Sequence, residues 1–363
     1  MRTPWIGESQ LRRALDRNER FWTGELDEGP LLWVSVPGAK PGAVLPEPAR
    51  EEELWTNPEY AVSAAENRLS RTLFLEDAIP VYMPWLGPDQ FAGWLGAELI
   101  LRPRELNTSW AVPFLTSWDP EPVLCIDPDN KWWKLYLELN RVAADCGRDK
   151  WVTAYPDLHS GIDALSAIRG PEQLSVDLVD ESEAVKKAMR KMTALWKQVV
   201  DEIAAIIEPT GQGSSNWTMG WSSKRFLCIG QNDFTCMISP SMFQEFCGED
   251  LRECCDYVDY SIYHLDGPGA TRHLPRILAE PNLQCIQWIP GAGAPPVSNW
   301  IPLLRDIQRA GKTVQLWPLL NCSEEQVLGE LHALRGVLDL RGLFIVLEPS
   351  TVELAEAIVR VFR

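Results

Sequence analysis

What this sequence has little of narrows its chemistry first. It has only four histidines, and its 34 lysines and arginines are outnumbered by 51 aspartates and glutamates, a formal net charge of −17. A surface so acidic repels phosphate backbones and anionic lipid, so neither nucleic acid nor membrane is an expected partner. No run approaches the ~18 apolar residues of a spanning helix, and the first residues contain no continuous apolar segment of the secretory type. The nine cysteines, at 125, 146, 228, 236, 247, 254, 255, 285 and 322, form no CxxC pair and no compact ligand pattern, which makes reduced thiols in a cytoplasm the expectation. No GxGxxG or GxxxxGK[ST] follows an apolar run, so the phosphate-cradling marks of nucleotide binders are missing. There is no internal repeat and no low-complexity tract.

Seventeen tryptophans are present, and 45% of the chain is hydrophobic, ample for a large core. Residues 36–58, rich in Pro, Gly and Glu, read as an irregular connector. Residues 1–77 are expected to be an N-terminal extension holding one short helix. From residue 78 onward β-leaning and helical stretches alternate: IPVYMPWLG (79–87), WVTAYPDL (151–158), RFLCIGQ (225–231), VDYSIYHL (258–265), LQCIQWIPG (283–291), KTVQLWPL (312–319) and LRGLFIVLEP (340–349) are separated mainly by helical segments. The longest helix is expected over about 181–207, with Val185, Met189, Met192, Trp196, Val199, Ile203 and Ile206 as one buried stripe and a capping-box spacing at Asp180 and Glu183. Another is expected over 127–147, with Asp127 as its cap and Pro128 at its first position. Pro275 is expected to kink or split the helical region that follows residue 266. Such alternation predicts an α/β fold of parallel strands and crossover helices, best fitted by a single (β/α)8 TIM barrel over 78–363, with a doubly wound open sheet as the alternative.

In such a barrel, function sits at the C-terminal ends of the strands. Reading those ends gives Trp85, Tyr155, Asp157, His159, Gln231, Asp233, His264, Asp266, Gln287, Trp288, Trp317 and Glu348. His264-x-Asp266 is the sharpest pair. An imidazole and a carboxylate leaving one strand suit a divalent metal, or a base with an orienting anion. A loop-bonded histidine with Asp266 capping the next helix is the structural alternative. Asp233 is a candidate acid or base, and Trp85, Tyr155, His159, Gln287, Trp288 and Trp317 are candidate walls for a polar organic ligand, a cationic ammonium or a sugar ring.

YPDLHSGIDALSAIRGPEQLSVDLVDESEAVKK (155–187), QNDFTCMISPSMFQEFCGEDL (231–251), YHLDGPGATRHLPRIL (263–278) and IQWIPGAG (286–293) resemble the uroporphyrinogen decarboxylase superfamily. The closer likeness is to its corrinoid-dependent branch, of the methylcobalamin:coenzyme M methyltransferase type. The resemblance implies the barrel, a methyltransferase acting on a small methylated or aromatic substrate, and a corrinoid carried by a partner protein. That branch is similar in holding zinc through a His-x-Cys and a final Cys. Here His264 matches the histidine, Asp266 stands at the first cysteine and Glu348 near the last. The implied metal set is therefore His264, Asp266 and Glu348, an oxygen-rich set less selective for zinc. The decarboxylase branch grips its substrate with N-terminal arginines, and IPVYMPWLGPDQFAG (79–93) has none. Two further readings stand beside methyl transfer: lyase or hydrolase chemistry with Asp233 or Asp266 as acid or base, and a binding protein without turnover. A homodimer is among the assemblies allowed for.

Overall fold

A computed structural model describes residues 1–43 and 45–363. Its strands are β1 (Leu31–Val36), β2 (Leu73–Glu76), β3 (Val81–Tyr82), β4 (Glu98–Arg102), β5 (Thr108–Val112), β6 (Val152–Thr153), β7 (Phe226–Ile229), β8 (Tyr260–Asp266), β9 (Cys285–Ile289), β10 (Thr313–Leu316) and β11 (Leu343–Leu347). Seven of them form one sheet in the order β2-β1-β11-β10-β9-β8-β7. All its pairings are parallel except β1 with β2. β3 pairs in parallel with β6, and Tyr155 bridges to Asn216 in the same sense. β4 and β5 form a separate antiparallel hairpin. The fold is thus α/β around a mostly parallel sheet. Among the described residues the strand pairing does not close into a complete barrel.

The sequence explains the sheet. LLWVSV, FLCI and LFIVL are buried along their whole length, as parallel strands covered on both faces must be. Alternate residues divide between two cores. Ile286, Trp288, Val314, Leu316, Ile345 and Leu347 pack with the surrounding helices. Cys228, Ile262, Cys285, Phe344 and Val346 face the other way, and the helix Glu8–Trp22 lies against that side with Leu11, Ala14, Phe21 and Trp22. Trp22 stands 4.3 Å from Phe226 and donates its indole N–H to the Trp221 carbonyl, plugging the end where the strands begin.

Residues 1–77, expected as an extension, supply β1 and β2 to the central sheet. β1 runs parallel to β11, from Leu31 opposite Phe344 to Val34 opposite Leu347. Asp77 secures the arrangement by accepting from Arg17 Nε and the Leu32 amide, both at 2.7 Å.

Two helix starts differ from expectation. The helix Lys131–Gly147 is capped by Asn130, whose side chain accepts from the amides of Trp132 and Trp133, because Asp127 closes a local turn onto the Asp129 amide instead. The helix Ser182–Ile207 has no side-chain cap, since Asp180 ends the preceding helix Pro171–Asp180. Its stripe is buried from Val185 to Ile203, while Ile206, expected with it, is half-buried. The segment after Asp266 divides into Gly267–Ala270, Thr271–His273 and Leu274–Leu278, the last with Pro275 in its first turn. No helix among the described residues is long and apolar enough to cross a membrane.

Candidate functional site

β8 sends Tyr263 and Leu265 into the helix-side core, so His264 and Asp266 face the other way. Asp233 reaches the same place from the segment after β7. Gly230 makes that turn possible: its φ is +66°, and a Cβ there would lie 2.3 Å from the Tyr263 ring. Asp163, in the first turn of the helix Gly161–Arg169, then pins the segment by accepting from the amides of Asp233 (2.9 Å) and Phe234 (3.0 Å). One ligand atom each from Asp233, His264 and Asp266 lies within 4.8 Å of the other two. His264 Nε2 is 4.0 Å from Asp233 Oδ1.

The other imidazole nitrogen is engaged. His264 Nδ1 lies 2.5 Å from Gln287 Oε1, Gln287 Nε2 donates to Gln315 Oε1 at 2.7 Å, and Gln315 Nε2 donates to the Thr218 carbonyl at 2.7 Å. Both glutamines are fully buried. Trp217 stands edge-on to the imidazole, with ring centres 5.1 Å apart.

Around this cluster the charges are unusual. Asp157 and His159 approach to 3.6 Å. Burial opposes the charge on His159, but Asp157, Asp163, Asp233 and Asp89 together overcome it and push the imidazole up to about 9. Burial, with Asp233 beside it, also raises the Asp163 carboxyl. Asp266 rises for the same two reasons. Burial raises Asp157, whose Oδ1 has no hydrogen-bond partner among the described residues. A cleft of about 320 Å³ opens here, lined by Asp89, His159, Asp163, Asp233, Phe234 and Met237 among others.

Several expected site residues lie elsewhere. Glu348 is exposed and accepts from Ser35 at 3.0 Å, outside the three-residue group, because the end of β11 leads it toward β1. Trp288 is fully buried against Trp300 on the helix side, one residue out of phase with Gln287. Tyr155 is buried with its hydroxyl on Glu208, which pairs with Arg225 just before β7, at the opposite end of that strand. Trp85 is half-buried and packs edge-on against Trp55. Trp317 is half-buried at the relay, its indole N–H 3.4 Å from Gln315 Oε1.

Gln315, Asp163 and Trp217 were not singled out from the sequence. Gln315 could have been: CIQWI and TVQLW each place a glutamine inside an apolar strand, and the two residues stand in register.

The sequence matches no protein-family model and none of the curated proteins. Among solved structures it is similar to a methyltransferase from Methanosarcina mazei, at 11% identity and a TM-score of 0.62, over 96% of this chain and 98% of that one. At that identity the likeness is one of fold, and it extends over nearly the whole length of both chains.

Proposed function

We propose that the chain is a methyltransferase-type enzyme of the uroporphyrinogen decarboxylase superfamily. On this reading the sheet and its β3–β6 arm are parts of a (β/α)8 barrel, with the site at the strand C-termini. The substrate is a small methylated or aromatic molecule, and the methyl carrier is a corrinoid borne by a partner protein. The observation that carries the reading is the convergence of Asp233, His264 and Asp266 at the end of β8, in a chain that shares its fold with a methyltransferase.

The donor set fits a divalent cation. Two carboxylates and one imidazole whose second nitrogen is already bonded are what zinc or a harder ion accepts. No thiol joins the group among the described residues, so a cysteine-held zinc of the related branch does not fit. Asp233 therefore replaces Glu348 as the third proposed ligand, beside His264 and Asp266. When bound there, a cation would polarise an oxygen or nitrogen of the substrate. The protein's own groups do the rest. Asp163 holds Asp233 in place through two backbone amides. Trp217 stands edge-on to His264 and buttresses its ring. The acidic cleft, with no lysine or arginine among its lining residues, favours a neutral or cationic substrate.

The test is methyl transfer to and from free cobalamin, with thiols and methylamines as partners. Activity is expected in the wild type and a loss of at least about a hundredfold in His264→Ala. No transfer by the wild type with any partner would contradict the proposal.

A second reading is favoured by one observation: a raised carboxyl at Asp163 and a charge-favoured His159 share the cleft with Asp233. These could exchange protons with a polar substrate in lyase or hydrolase chemistry. Activity that persists in chelator-treated protein, with a bell-shaped pH profile, would select it.

A further inference from the structure

We infer that Gln287 and Gln315 are positioning residues that fix the tautomer of His264, leaving Nε2 as the nitrogen that acts. The inference rests on His264 being the acting nitrogen of the proposed site, and it holds for a metal ligand and for a base alike.

The argument begins at a group with no choice. The Thr218 carbonyl can only accept, so the Gln315 atom 2.7 Å from it must be the amide nitrogen. Gln315 Oε1 then faces Gln287, and can only accept from Gln287 Nε2 at 2.7 Å. The Trp317 indole N–H, at 3.4 Å, points to the same oxygen and reinforces that orientation. Gln287 Oε1 is left facing His264, and at 2.5 Å it requires a proton on Nδ1. Both glutamines are fully buried, so neither can turn and satisfy its amide with water. Reversing any one link would set two acceptors or two donors against each other. The polarity of one backbone carbonyl is thereby carried across β10 and β9 to a ring on β8. In a neutral ring with Nδ1 protonated, the lone pair is on Nε2, which is the nitrogen nearer Asp233.

The experiment is nitrogen-15 NMR of histidine-labelled, metal-free protein without substrate, at the alkaline end of each ring's titration, where the imidazoles are neutral. With four histidines in the chain the spectrum is simple, and the His264 signals are assigned by their loss in His264→Gln. The expected result is a protonated Nδ1 and a bare Nε2. In Gln315→Leu, Gln287 is free to turn its amide donor toward Nδ1, and the Nε2–H form should become the major one. In Gln315→Glu the buried side chain is expected as the neutral acid, its hydroxyl donating to the Thr218 carbonyl while its other oxygen accepts from Gln287, and the wild-type tautomer should return. This last variant separates the relay from packing, since the side chains are of similar size. An Nε2–H ring in the wild type, or a tautomer unchanged in Gln315→Leu, overturns the inference. If Gln315→Leu does not fold, the wild-type tautomer and its retention in Gln315→Glu decide. The readout is independent of turnover. A protein that transfers methyl groups but carries Nε2–H refutes the relay alone. One with the Nδ1–H ring and neither metal nor methyl transfer refutes the proposed function alone.

Discussion

His264 and Gln287 stand directly opposite each other in the β8–β9 ladder, and Nδ1 of one meets Oε1 of the other at 2.5 Å. The register of two strands 23 residues apart thus supplies the histidine with its partner. The same register sets Gln287 opposite Gln315 on β10. A one-residue slip of β9 would put Trp288 where Gln287 stands and bury the histidine against an indole.

Trp288 offers a sharp contrast with that neighbour. It is fully buried on the helix side, packed edge-on to Trp300 with ring centres 4.9 Å apart. Trp288→Ala should cost about 3–5 kcal/mol of stability, read by denaturant unfolding. Substrate affinity of the protein that remains folded should be unchanged. A large change in affinity with normal stability would place the indole in the ligand site after all.

Asp177 should be a structural anchor for the 115–118 segment. It is paired with Arg169 at 2.6 Å, with both side chains nearly buried, and it accepts from the Trp118 indole at 2.8 Å. Arg169 in turn donates to the Leu115 carbonyl at 2.9 Å. Asp177→Ala leaves the guanidinium without its counter-charge and should cost about 3–5 kcal/mol. Denaturant unfolding measures the loss, and limited proteolysis near residue 118 should become faster.

The pH dependence of stability should carry a signature of His159. Its imidazole is held charged up to about 9, burial notwithstanding, by Asp157, Asp163, Asp233 and Asp89. A group whose folded value lies above its unfolded value contributes fully below the unfolded value, about 6.5, and loses that contribution as pH rises through the folded value. Thermal stability should therefore decline between about pH 6.5 and 9. In His159→Gln that decline should be shallower. Parallel slopes in the two proteins would show that the ring is not held charged.

Much of this architecture is written in the sequence, and its failures have physical causes. The alternation after residue 78 gives parallel strands because fully buried strands must be apolar along their length. LLWVSV has the same signature, but the Pro- and Glu-rich connector after it breaks the alternation and hides its pairing with β11. His264-x-Asp266 was visible because two polar residues at period two end an apolar strand. The resemblance implies Glu348 as the third ligand and Asp233 reads only as an acid or base, because both leave strand ends and nothing in the sequence shows which one turns toward His264. Only the turn at Gly230 and the two amides held by Asp163 bring Asp233 in, and those contacts join segments about 70 residues apart. Position along a strand does not reveal which face Trp288 takes until its register with neighbours is known.

The measurement that tests the central claim most directly is the divalent-metal content of the purified protein, taken together for the wild type, His264→Ala, Asp233→Asn and Glu348→Gln. The account predicts about one ion per chain in the wild type and in Glu348→Gln, and little or none in the other two. No ion in the wild type after incubation with zinc or manganese would contradict it, as would an ion retained in His264→Ala.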